Sequence, residues 1–255
     1  MTQPRAHDLE CGRLVVFSAK NPAKERPNED ALGVFPAGPQ RCVLAVADGV
    51  GGQPGGGDAA RLAIEHLGRS VRKAEEGLSL RDAILDGFEK GNAAICALGS
   101  GAATTLVVAE LAGTSVRPYH VGDSGALVFG QRGKLKLQTI FHSPVGYALE
   151  AGLLNEREAI HHRDRHLISN ALGDDRMRVE IGSSFELRPR DTLVLASDGL
   201  FDNLRTAEII KVLRKGPLEK AAAAATESCA SRMNGGAPTT PSKPDDLTLI
   251  AYRRV

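Results

Sequence analysis

A chain of 255 residues, 42% hydrophobic and 25% charged, is long enough for one large domain with its own core and has globular rather than disordered composition. A formal net charge of +1 leaves no field to draw in nucleic acid or an anionic membrane, and 4% aromatics without Trp leave few surfaces for stacking bases. No apolar run reaches bilayer length and the first ten residues carry no apolar signal-peptide stretch, so neither a membrane span nor export is expected.

Three strand-like runs open the chain, Leu14–Ser18, Ala31–Phe35 and Cys42–Ala47, each bounded by Pro, Gly or Asn. After the glycine-rich stretch at Gly49–Gly57 the pattern turns helical. Leu62, Ile64, Leu67 and Val71 fall roughly on one face, and Ser79 with Asp82 predicts the capped start of a second helix. Strands resume at Thr104–Glu110, Val116–Val121, Ala126–Phe129 and Leu135–Thr139. A polar, histidine-bearing stretch from His142 to Arg178 follows, with weak helical character only at Asn155–Ala159. Glu180–Leu187 and Thr192–Ala196 read as strands. Helices are predicted over Thr206–Lys215, with Thr206 as N-cap, and Pro217–Met233, with Pro217 in the first turn. A Gly/Pro/Ser/Thr loop from Asn234 to Pro244 leads to a last strand, Leu247–Tyr252. Blocks of strands separated by helix pairs favour packed antiparallel sheets with helices outside, in one domain spanning 1–255. The cysteines Cys11, Cys42, Cys96 and Cys229 form no C-x-x-C pair and read as reduced thiols of a cytoplasmic protein.

The placement of the aspartates carries the chemistry. Asp48, Asp123 and Asp198 each end an apolar run and are followed by Gly-Val, Ser-Gly and Gly-Leu-Phe-Asp202 respectively. Asp245 and Asp246 stand just before Leu247-Thr-Leu-Ile, and Glu29-Asp30 just before the strand at Ala31. A single Asp-Gly after a strand is usually a turn. The same placement recurring three times points instead to carboxylates converging on one rim of a sheet, where divalent cations would relieve their mutual repulsion. With oxygen ligands and no Cys or His at ligand spacing, Mg²⁺ or Mn²⁺ fits better than Zn²⁺.

Six segments, in order, resemble the PPM-type metal-dependent protein phosphatases, the protein phosphatase 2C family. They are Asn28-Glu-Asp-Ala31, Ala47-Asp-Gly-Val-Gly-Gly52, Gly101-Ala-Ala-Thr-Thr105, Val121-Gly-Asp-Ser124, Ser197-Asp-Gly-Leu-Phe-Asp202 and Pro244-Asp-Asp-Leu-Thr248. The resemblance implies an α+β fold, a four-layer αββα sandwich, and hydrolysis of phosphoserine and phosphothreonine in proteins by a metal-activated water. It implies that Asp48 bridges two ions with the carbonyl of Gly49 on one of them, and that Asp198 and Asp245 complete the first ion's ligands. Glu29 and Asp30 would hold waters of the second, and Asp123 and Asp202, with Asp198, match a third, looser site. The stretch 142–178 matches the family's flap, and the partners implied are phosphorylated protein substrates of a Ser/Thr kinase.

Three departures accompany the resemblance. The arginine that often binds substrate phosphate lies four residues before the position of Glu29; here that place is Glu25, and Arg26 is the phosphate-binding candidate. Gly125 replaces the arginine after Gly-Asp-Ser, and Val50 stands where many members carry a proton-donating histidine. His161, His162 and His166 read as a solvated loop surface with access to substrate as the alternative. A serine-hydrolase reading of Gly122-Asp-Ser-Gly125 fails for want of the partner motifs, and the absence of a P-loop speaks against nucleotide hydrolysis. A catalytically weak or silent binding member of the same fold is the stronger rival, countered by the intact Asp48, Asp198 and Asp245.

Overall fold

The computed structural model describes residues 3–51, 55–76, 79–235 and 240–254. Gly52 of the glycine-rich stretch and residues 236–239 of the Asn234–Pro244 loop lie outside these ranges. Strand β1 (Arg5–Leu9) doubles back at once into β2 (Gly12–Ala19), Leu9 facing Gly12. Nothing in the hydrophobic pattern signals β1, because its Arg5, His7 and Asp8 are polar and exposed. Strands β3 (Asp30–Pro36) and β4 (Arg41–Asp48) form a hairpin, followed by helices α1 (Gly56–Arg72) and α2 (Leu80–Cys96). Ser79 caps α2 as expected, its hydroxyl accepting from the Asp82 N–H at 3.1 Å.

Strands β5 (Leu106–Ala112), β6 (Ser115–Val121), β7 (Gly125–Phe129) and β8 (Leu135–Gln138) come next. The 142–178 stretch holds two short helices, α3 (Pro144–Glu150) and α4 (Glu156–Ile160), capped by Ser143 and Asn155. The single strand expected at Glu180–Leu187 is two pieces, β9 (Glu180–Ile181) and β10 (Phe185–Glu186), both on β6. Between them Gly182 donates its N–H to Pro118 O at 2.9 Å, so the Pro118 nitrogen faces the same edge and, lacking a hydrogen, interrupts the ladder. Strand β11 (Thr192–Ala196), the one-turn helix α5 (Asp198–Phe201), α6 (Thr206–Leu213), α7 (Leu218–Met233) and β12 (Leu247–Arg253) complete the chain. Arg205, not Thr206, is the N-cap of α6, its N–H held by Glu208 at 2.9 Å; the Thr206 N–H is taken by Glu156 of α4 at 2.6 Å. Pro217 is likewise the N-cap of α7 rather than part of its first turn.

All pairings are antiparallel, in two sheets ordered β1-β2-β12-β11-β7-β8 and β10-β6-β5-β4-β3, with β9 also on β6. The period-two alternation of β4 fixes the layers. Val43, Ala45 and Ala47 pack on Leu67, Ile84 and Phe88 of α1 and α2, while Leu44 and Val46 face Leu193, Leu195 and Ile250 of the other sheet. Val194 and Leu249 of that sheet point the opposite way, against Ile209 and Leu213 of α6 and Ala222 and Ala225 of α7. The result is the αββα sandwich. Cys11 and Cys42, far apart in sequence, pack into the same core between the sheets. Among the described residues, no helix is long and apolar enough to cross a membrane.

Candidate metal centre

Strand β4 delivers Asp48 to the rim of its sheet as the last residue of a buried apolar run, directly opposite Asp30 at the start of β3. Its backbone is clamped on both sides: Asp48 N–H donates to Thr105 Oγ1 (3.0 Å), and Asp48 O accepts from Thr105 N–H (2.9 Å) and Thr104 Oγ1 (2.8 Å). Thr105 Oγ1 also lies 2.6 Å from Ser124 Oγ, which ties this strand end to the Gly122–Ser124 turn carrying Asp123. A Cβ at Gly49 would sit 2.4 Å from the Gly56 backbone, so only glycine lets the start of α1 approach the end of β4 so closely.

The other sheet supplies the opposite wall. Asp198 opens α5 and Asp202 caps its C-terminus. A Cβ at Gly199 would lie 2.0 Å from Asp246 O, so the α5 turn rests directly on the backbone before β12. Ser197 Oγ donates to Asp30 Oδ2 at 2.9 Å and accepts from Thr248 N–H at 3.0 Å, stitching the two sheets together at this end.

Asp245 and Asp246, adjacent in sequence, do different work. Asp246 is buried and fully used: Oδ1 accepts from Asn21 N–H, and Oδ2 from Glu29 N–H and Lys24 Nζ, each at 2.8 Å. It pins the β2–β3 loop. Asp245 faces the cluster, its Oδ2 3.2 Å from Lys243 Nζ. Lys243 Nζ also bonds Asp198 Oδ2 and lies 2.8 Å from Asp202 Oδ2.

Burial, then mutual repulsion, raises the carboxyl pKa values of Asp30, Asp48, Asp123, Asp202 and Asp245. Asp48 stands well above the carboxylate range, pushed by burial and by Asp30, Asp198, Asp123 and Asp245. Burial carries Asp30 up to about 7, Asp123 to about 8 and Asp245 to about 6, with Asp198 adding to each. Burial also raises Asp202. Burial works against the charge of Lys243, yet Asp198, Asp202 and Asp245 hold its ammonium far above the usual range.

Among the described residues, two buried carboxylate oxygens, Asp30 Oδ1 and Asp198 Oδ1, find no hydrogen-bond donor. Such an atom costs the full desolvation of a charged acceptor unless a cation meets it. Donors that are all oxygen, with two buried oxygens still open, fit hard divalent ions such as Mg²⁺ or Mn²⁺.

The profile of the family described as protein phosphatase 2C matches residues 19–232. The chain belongs to that family. A protein phosphatase 2C-type protein of Streptococcus pyogenes is 30% identical over 198 residues, 74% of this chain and 80% of the relative. The serine/threonine phosphatase Stp1 of Staphylococcus aureus superposes with a TM-score of 0.82 at 25% identity, over 98% of this chain and 99% of that one. The catalytic domain of the serine/threonine protein phosphatase PstP, solved with two manganese ions, superposes with a TM-score of 0.77 at 26% identity, over 95% and 98% of the two chains. Protein phosphatase 2C enzymes are metal-dependent protein phosphatases, and the open carboxylate oxygens suit their Mg²⁺ or Mn²⁺ chemistry.

Within this family member, Asp30, Asp48, Asp123, Asp198, Asp202 and Asp245 are brought into one cluster. Glu29 sits at its flank with its carboxylate paired to Lys24 at 2.5 Å. Arg26 is exposed and lines a depression on that flank with Asn28, Glu29 and Arg61. Sequence reasoning passed over three basic residues. Lys243 and Lys24 occupy the two ends of the acidic group, and Arg165 lines a cavity of about 330 Å³ together with Asp123, Asp198 and Asp202. The signal for Lys243 was a lysine between prolines two residues before Asp245, in a cluster that has to find counter-charge. Helices α3 and α4 supply apolar walls of that cavity through Val145, Leu149 and Ile160, with Phe201 and Leu204 opposite.

His120, His142 and Glu180 place possible ligand atoms within 4.8 Å of one another, but their hydrogen bonds assign them another task. His142 Nδ1 accepts from Gly122 N–H (3.1 Å) and Asn170 Nδ2 (2.9 Å), so its Nε2 carries the hydrogen and donates to Glu180 at 3.1 Å. His120 Nε2 donates to Ile140 O at 2.7 Å. The pair, stacked at 4.4 Å, fastens the beginning of the 142–178 segment to the turn that aims Asp123.

The raised carboxyl pKa values give the metal-free protein a definite pH dependence. Asp30, Asp123 and Asp245 keep protons to about 7, 8 and 6 in the fold, whereas unfolded aspartate loses them near ~3.9. The folded state therefore binds more protons than the unfolded state between about pH 4 and about pH 8, and stability drains away as pH rises through that window. Chelator-treated protein is expected to melt at steadily lower temperature across it, and saturating Mn²⁺ to flatten the slope. A melting temperature in chelator that rises with pH there would contradict the cluster.

Proposed function

We propose that the chain hydrolyses phosphoserine and phosphothreonine in proteins, as one phosphatase domain in which residues 142–178 form a flap over the reaction site. The observation that carries this reading is the pair of open, buried oxygens, Asp30 Oδ1 and Asp198 Oδ1, inside a rim of six aspartates drawn from both sheets. Asp48, Asp198, Asp245 and the Gly49 carbonyl would hold the ions directly, with Asp30 and Glu29 acting through water. Divalent ions bound there would lower the pKa of a shared water and neutralise phosphate charge. The chain's own groups position and confine the substrate. Thr104 and Thr105 fix the Asp48 backbone, and the α3–α4 wall offers an apolar surface beside the phosphate. Three curated relatives in Listeria and Streptococcus carry serine/threonine or protein phosphatase names, which supports protein substrates. The four free thiols suit a reducing, cytoplasmic setting.

Phosphate release from a panel of phosphoserine and phosphothreonine peptides, with Mn²⁺ and then with chelator, tests the proposal. Metal-dependent, reversible turnover is expected; full activity after exhaustive metal removal, or none with any phosphopeptide, would end it.

A second measurement locates the phosphate clamp. Arg165 reaches the cavity from α4's C-terminal side, donating to Ile160 O and, at 3.3 Å, to Ser242 O, and its charge is felt at Asp202. Arg26 lines a depression with Glu29 and Asp58, whereas Arg165 lines the cavity with Asp123, Asp198 and Asp202. A clamp acts in ground and transition states alike, so its loss raises KM with little change in kcat. Arg165→Ala is expected to raise KM several-fold, and Arg26→Ala to behave as wild type. The reverse pattern would restore Arg26 to the role read from the sequence.

A further inference from the structure

We propose that Lys243 is a built-in cation occupying the place of a third divalent ion, so that the cluster loads two ions and not three. The inference rests on the metal reading of this same cluster. The lysine is not a surface side chain that has found the nearest acid. Its backbone is gripped on both sides by one fully buried residue: Lys243 N–H donates to Asn203 Oδ1 at 3.0 Å, and Lys243 O accepts from Asn203 Nδ2 at 2.8 Å. Asn203 Nδ2 is also held by Gly199 O at 3.0 Å, one residue after Asp198, so the loop bearing the lysine and the turn bearing the ligand are locked to each other. Pro244 stiffens the chain on one side and Arg165 holds Ser242 on the other.

The ammonium divides the carboxylate oxygens cleanly. Lys243 Nζ takes Asp198 Oδ2, Asp202 Oδ2 and Asp245 Oδ2, whereas Asp198 Oδ1 stays without a donor among the described residues. One oxygen of Asp198 thus serves the lysine and the other is left for an ion, as is Asp30 Oδ1 on the opposite sheet. The family resemblance places the looser third ion among Asp123, Asp198 and Asp202, and Lys243 already takes an oxygen of the last two. A tethered ammonium does not exchange, carries no reactive water, and is present at any metal concentration.

Equilibrium dialysis against Mn²⁺ with metal analysis, supported by melting temperatures in chelator, tests this without reference to turnover. Wild-type protein is expected to saturate with two ions. Lys243→Met should take up one more, and Lys243→Met/Asp202→Asn should lose it again. In chelator, Lys243→Met should melt below wild type, since three carboxylates lose their cation, and Mn²⁺ should raise its melting temperature by more. Should Lys243→Met fold poorly, Asp202→Asn alone decides: it leaves two ions bound if Asp202 serves the lysine, and removes one if Asp202 is a metal ligand. Three ions in the wild type, or an unchanged count in Lys243→Met, would overturn the proposal and leave the phosphatase reading standing. A wild type that binds no Mn²⁺ would sink both.

Discussion

Asp48→Asn is expected to lower kcat with saturating Mn²⁺ by roughly a hundredfold or more, about 2.7 kcal/mol of transition-state stabilisation, and to weaken Mn²⁺ binding in parallel. Asparagine keeps the shape of the side chain. The backbone bonds to Thr104 and Thr105 do not involve it, so β4 and its pairing with β3 should survive. Only the central charge of the cluster is removed. Asp198→Asn should match it, because it neutralises the residue whose Oδ1 is left open while Oδ2 still meets Lys243. Because the like-charge repulsion also falls, both variants should melt at or above the wild type in chelator while failing to gain from Mn²⁺. Turnover within a few-fold of wild type in either would remove these aspartates from the reaction.

The second large effect concerns the leaving group. Val50 follows Gly49 and is fixed by its N–H to Ala103 O at 2.9 Å, and its side chain has no proton to give. His161 and His166 are exposed, neither lines the cavity beside Asp123, and His162 Nδ1 accepts the Asp164 N–H at 3.2 Å. A serine alkoxide needs a proton as it leaves, whereas nitrophenolate does not, and general acid help is worth about a hundred- to ten-thousandfold. Phosphoserine peptides should accordingly turn over far more slowly than nitrophenyl phosphate. Val50→His should raise the peptide rate selectively. If His161→Ala or His162→Ala slows peptides and spares the aryl substrate, a flap histidine is the donor and Val50 is irrelevant.

The parts of this molecule readable from sequence are those in which neighbours along the chain decide the outcome. Asp48, Asp123 and Asp198 end buried strands, and the direction of each strand is enough to put all three on one rim. Asp245 and Asp246 show where that logic stops. Both precede β12, but one faces the cluster and the other is consumed by Asn21, Glu29 and Lys24, more than two hundred residues earlier. Lys243 and Arg165 belong to the same class: their importance comes from loops converging in space, and a lysine in a Pro-Ser-Lys-Pro loop carries no periodic signal. The strand β1 escaped for a different reason. An edge strand exposed along its length has no buried side to reveal it. The break in Glu180–Leu187 depended on Pro118, on the neighbouring strand rather than in the segment itself.

The seam between the sheets has a consequence for the reaction. Asp30 and Asp48 ride on one sheet and Asp198 and Asp245 on the other, with Asp123 in the turn that crosses between them, and the sheets are joined at that end by Ser197 and Asp30 and, further in, by side chains such as Leu44, Val46, Leu195 and Ile250. The separation of the two sets of carboxylates therefore follows the separation of the sheets. The buried filling between the sheets acts as a spacer, and the calibre of a leucine deep in the core helps set the gauge of an acidic cluster it never touches.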